Sequence, residues 1–159
     1  GITNGTSADT FSPNAPVTRA QAVTFQWRAA GSPEADIASF DDVAADAYYA
    51  EAVAWAAENE ITTGTGADTF SPDAPVTRAQ AVTFLYRYVT EYLEQEAVEG
   101  ADLKAFTDGD KVQDYAKTAM AWAVAEGFFE GYGDGALRPR ASLTRAQMAK
   151  LLTILDQDF

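Results

Sequence analysis

Apolar residues recur at helical spacing in two kinds of segment. Tyr49, Ala52, Val53 and Ala56 lie on one helix face and predict a short helix over roughly 47–59. Tyr115, Ala119, Trp122 and Ala123 predict its counterpart near 114–126. The second kind carries the stripes Val23, Trp27, Ala30 and Val82, Tyr86, Val89. These helices open inside a Thr-Arg-Ala-Gln tetrapeptide. Thr18 with Gln21, Thr77 with Gln80 and Thr144 with Gln147 each fit a capping box, in which side chain and backbone at the helix start satisfy each other. Between the two kinds run Gly-bearing loops and Ser-Pro and Ala-Pro pairs. The residue before proline avoids the helical region, so these loops are expected to be extended. Five helices joined by such loops make an all-α chain.

The same segments are internal repeats. Residues 1–28 and 60–87 align without a gap at an offset of 59, with 22 of 28 positions identical. A more diverged copy spans 127–154 at an offset of 67, placing Gly131 on Gly64, Pro139 on Pro72 and Arg145 on Arg78. The upstream half also recurs, from Phe40 and from Phe106, with Trp55 matching Trp122. The chain therefore divides into a partial first repeat (1–31), a second (40–97) and a third (106–155), expected to pack as one domain. Segments 31–39 and 97–105 read as linkers.

Composition narrows the function. The chain has 159 residues and a net charge of −13, which repels nucleic acid and anionic membrane surfaces. It has no cysteine and no histidine. That removes disulfides, thiol nucleophiles, the commonest zinc ligand and the commonest general base. No apolar run is long enough to insert in a membrane, and any signal peptide is expected outside this sequence. There is no Gly-x-Ser-x-Gly elbow and no phosphate loop, so no enzyme is expected. Asp108-Gly109-Asp110 and Gly133-Asp134-Gly135 have the flavour of cation loops. Val112 takes a position where a calcium loop needs oxygen, so no metal or other cofactor is expected.

Phe40-x-Asp42-Val43, Ala54-Trp55-Ala56, Ile61-Thr62-Thr63-Gly64, Phe70-x-Pro72 and Thr77-Arg78-Ala79-Gln80 follow one another in the order used by the S-layer homology family, which the chain resembles over nearly its whole length. The resemblance implies three repeats in a pseudo-threefold helical bundle with grooves between them. It also implies an extracellular anchoring role at the bacterial cell surface, with secondary cell-wall polymer, often a pyruvylated glycan, as the partner. Carried over residue by residue, the implied glycan contacts are Arg19, Arg78 and Arg145, then Gly5, Gly64 and Gly131, with Trp55, Trp122, Asp42 and Asp108. The family's tetrapeptide typically ends in Glu, and here it ends in Gln in all three copies.

Each of these residues has a structural reading beside the functional one. An arginine at the first helical position meets the positive end of the helix dipole, so it calls for a partner, either an anionic ligand or a carboxylate such as Asp42 or Asp108. Trp55 and Trp122 fit either core anchors or sugar platforms. Tyr132, in the Gly-Tyr-Gly-Asp-Gly loop, is a further sugar-facing candidate. Gly64 and Gly131 fit either helix ends or an anion cradle of backbone N–H groups. A second reading makes the array a self-association or protein-interaction module without glycan binding, with a homo-oligomer formed through the incomplete first repeat, whose apolar helix face would need covering.

Overall fold

The structure is a computed structural model that describes residues 2, 5–7, 9–36 and 40–159. Five α-helices follow in order: α1 (Arg19–Ala29), α2 (Ala50–Glu58), α3 (Arg78–Arg87), α4 (Lys117–Ala125) and α5 (Arg145–Asp158). Among the described residues there are isolated β-bridges but no strand. Residues 1, 3, 4 and 8 of the first repeat and 37–39 of the first linker lie outside the described residues.

All three capping boxes form. Thr18, Thr77 and Thr144 each accept a hydrogen bond from the backbone N–H three residues on, and Gln21, Gln80 and Gln147 each accept one from the cap's own N–H. The helices α2 and α4 begin later than the apolar spacing predicts. Their starts carry no side-chain cap. Successive turns over 44–50 take the place of the first helical turn before α2, and a 3₁₀ turn, Asp114–Ala116, takes it before α4. The linker 97–105 holds a 3₁₀ turn of its own, Leu103–Ala105.

Packing pairs α1 with α2 and α3 with α4, and α5 leans on α1. Trp55 packs on Tyr88 and Tyr92, which follow α3 in a single π turn. Trp122 packs on Tyr86 and Phe128. A closed cycle of backbone hydrogen bonds links the three repeats. Val17 N donates to Leu143 O (2.9 Å), Leu143 N to Val76 O (2.9 Å), and Val76 N to Val17 O (2.8 Å). All three side chains are fully buried.

The segment before each tetrapeptide departs from expectation. Ser12, Ser71 and Arg138 precede prolines and are left-handed, with φ of 53°, 59° and 51°. Such a backbone is strained for any residue with a Cβ. In the second and third repeats the strain is held by the upstream half of the repeat. Asp42 accepts from Phe70 N and Ser71 N at 2.8 and 2.7 Å, and Asp108 accepts from Leu137 N and Arg138 N at 2.7 and 2.9 Å.

The helix of the partial first repeat, α1, packs against α2 and α5. Trp27 of α1 and Tyr86 of α3 correspond to Thr153, which is exposed, and its neighbours Lys150 and Asp156 are exposed too.

Candidate functional site

The tetrapeptide arginines are buried, with Arg19, Arg78 and Arg145 only 3%, 4% and 6% exposed. Each reaches across to the next repeat. Arg19 Nε donates to Phe70 O, Arg78 Nε to Leu137 O and Arg145 Nε to Phe11 O, all at 2.8 Å. The carboxylate partner weighed from the sequence is thus relayed rather than direct. Asp42 holds the N–H groups on either side of the Phe70 carbonyl that Arg19 holds, and Asp108 and Arg78 grip the peptide between Leu137 and Arg138 likewise. Burial lowers the pKa of Arg19, opposed by Tyr115 and Asp42. Burial lowers that of Arg78 too, with Tyr132 opposing, Arg138 adding to the effect and Asp108 opposing. Both guanidinium groups remain charged at neutral pH.

Two grooves are built on these arginines. The first encloses about 420 Å³ between Arg19, the loop Thr62–Thr65, Gln80 and Arg87, with Tyr115 at its edge. The second encloses about 170 Å³ between Arg78, the loop Phe129–Tyr132, Gln147 and Lys150. They are the same construction one repeat apart. Each takes its arginine from one repeat and its Gly loop and Gln from the next. Arg145 belongs to the equivalent place in the first repeat, where the Gly5 loop includes undescribed residues.

The loop glycines turn the chain rather than end helices. Gly64 and Gly131 have φ of +79° and +81°. A Cβ on Gly64 would sit 2.5 Å from Thr69 O, and one on Gly5 would sit 2.6 Å from both Ser7 O and Thr10 O. The left-handed residues that follow α2 and α4 are instead Glu60 and Gly127. Gly64 N–H is already used by Thr62 Oγ1 at 3.2 Å.

Trp55 and Trp122 are each 1% exposed, and their indole N–H groups lack a partner. Trp55 is packed within the core, while Trp122, equally buried, also stands in the lining of a cavity against α4. Tyr132 does line the second groove. Its ring lies between the guanidinium groups of Arg78 (4.9 Å) and Arg138 (3.9 Å).

The sequence reading missed Arg87 and Tyr115. Tyr115 was placed on the α4 core stripe, but its 3₁₀ turn points it outward at 48% exposure. The available signal was repetition: Arg28 recurs as Arg87 and Tyr48 as Tyr115 at the repeat offsets. Outside these grooves, a cavity of about 890 Å³ opens between Tyr86, the linker 97–104 and α4.

The family model for the S-layer homology domain matches residues 1–23, 39–82 and 105–149. The chain is 34% identical to the Surface-layer 125 kDa protein of Lysinibacillus sphaericus over 94% of its own length and 12% of that protein's. It is 32% identical to an Endoglucanase of Bacillus sp. (strain KSM-635), over 97% of its length and 16% of the enzyme's. It is 29% identical to the Cellulosome-anchoring protein of Acetivibrio thermocellus, over 89% of its length and 32% of that protein's. The chain thus spans less than a third of each of these relatives.

Proposed function

The chain belongs to the S-layer homology domain family, and on that premise we propose that it anchors a surface protein non-covalently to secondary cell-wall polymer through the grooves between its repeats. It is an extracellular, cell-surface anchoring module, in keeping with relatives named as a surface-layer and a cellulosome-anchoring protein. It has no catalytic part in this reading. Where a relative is an endoglucanase, the shared segment is a small share of that enzyme. A pseudo-threefold arrangement of the repeats goes with the proposal, and the cyclic bonds among Val17, Leu143 and Val76 support it.

The observation that carries the reading is the pair of matching grooves, each joining a buried arginine, a glycine turn and a capping Gln from two repeats. The grooves collect cations on a protein of net charge −13, and the first has Arg19 and Arg87 with no carboxylate in its lining. That suits a glycan bearing carboxylates, a pyruvylated one included, because guanidinium groups bind carboxylates by charge-assisted hydrogen bonds. Gly5, Gly64 and Gly131 let the loops come close, Tyr132 and Tyr115 offer rings, and Asp42 and Asp108 hold the walls.

Calorimetric titration with pyruvylated wall-polymer fragments tests the proposal. Saturable binding is expected, weakened by salt and reduced roughly tenfold or more in Arg87→Ala, which removes a part-exposed cation at the groove. No heat from a folded sample would overturn it.

A further inference from the structure

The two grooves correspond position by position, so their differences can be read directly. The Arg19 guanidinium lies over Phe70 (4.8 Å) and Phe84 (5.3 Å). The equivalent residues around Arg78 are Leu137 and Leu151, and its rings come from elsewhere: Phe129 at 3.8 Å and Tyr132 at 4.9 Å. Phe129 and Tyr132 occupy the positions of Thr62 and Thr65 in the first groove. The arginine's aromatic partners thus come in the first groove from Phe70 and from Phe84 of α3, which also lines that groove, and in the second from the Gly loop.

Two consequences follow. The Arg78 groove is less than half the size of the other, about 170 against 420 Å³. Its tyrosine is held in place, because Tyr132 also lies under Arg138, which is paired to Asp134 at 2.9 Å. In the first groove the same loop presents threonines. There Arg19 Nη2 is buried without a hydrogen-bond partner. A buried charged donor left unsatisfied is unfavourable and is relieved by an acceptor entering the groove. Arg87 adds a second cation to the lining, whereas the Arg78 groove is lined by one carboxylate, Glu130, beside Lys150.

We infer that the two described grooves are unequal: the Arg19–Gly64 groove admits a sugar-borne carboxylate, while Tyr132 fills the Arg78–Gly131 groove from within the chain. The inference rests on the reading of the grooves as glycan sites and assigns the anionic contact to one of them. Thr65 and Tyr132 are then the residues that set the difference, and exchanging their types should exchange the behaviour of the grooves.

Pyruvate serves as a minimal carboxylate probe, followed by NMR on the whole chain. Wild type is expected to show saturable shifts at the Arg19 Nε–H and the Gly64 and Thr65 amides, with none at Arg78 or Gly131. Thr65→Tyr should abolish that response, and Tyr132→Thr should create one at Arg78 and Gly131. Thr65 is exposed, so its replacement leaves the core intact. Equal shifts at both grooves in wild type would overturn the inference, as would silence at the Arg19 groove. The broader reading fails separately. Wall-polymer binding without a pyruvate response at Arg19 sinks only the inequality. A pyruvate response at Arg19 without polymer binding sinks the anchoring role.

Discussion

Gln26 sits in α1 at 1% exposure, and neither its Oε1 nor its Nε2 has a hydrogen-bond partner. The equivalent positions in the other repeats are Leu85 and Leu152, both buried. Gln26→Leu is therefore expected to stabilise the protein by about 1–3 kcal/mol, because an unsatisfied buried amide gives way to an apolar side chain of similar size. A higher urea midpoint at unchanged slope would show it; a lower midpoint would mean that the amide has a role the packing does not reveal. Residues of this kind mark the limit of what sequence alone conveys. The period assigned Gln26 to α1 but not to its interior. The tetrapeptide arginines were legible as residues in need of a partner, yet the partner is a carbonyl in the next repeat. Only the folded chain brings Phe70 to Arg19, across 51 positions.

At the scale of elements, the helices that were legible are those whose starts are encoded locally. Thr77 and Gln80 are three residues apart, so α3 announces its own first residue. Thr77→Ala should remove one of the two cap bonds and lower stability by about 1 kcal/mol, measured by chemical unfolding. A loss several times larger would place Thr77 in a wider network than its cap. The starts of α2 and α4 were misjudged because no side chain caps them, and apolar spacing continues through turns that are not helical. The loops before the tetrapeptides were misread for a related reason. The residue before proline prefers an extended backbone, and nothing local in Ser71-Pro72 reports that Asp42, 29 positions earlier, holds Ser71 left-handed.

For the whole molecule, repeat arithmetic predicted two full units and a partial one, and backbone hydrogen bonds link the three segments in a cycle. The cyclic bonds through Val17, Val76 and Leu143 and the arginine contacts all cross between repeats. The helix pairs α1 with α2 and α3 with α4 also cross between repeats, so the array should unfold as one body. Urea transitions followed by helical circular dichroism and by tryptophan fluorescence are expected to coincide. Separated transitions would show that the repeats melt one by one, as longer linear arrays do.

The same ring bears on tension. In the proposed role the module is pulled, and the part of the pull that travels along the chain reaches this ring. From the N-terminal side the force meets Val17 before any helix; from the C-terminal side it passes α5 and meets Leu143. Each is fastened to a segment far away in sequence, and the two are fastened to each other. Tugging on one end therefore drags on all three repeats at once, because Val76 of the second repeat belongs to the same ring. The fold behaves as a knotless buckle, in which the parts most exposed to traction are those most tightly tied to the rest.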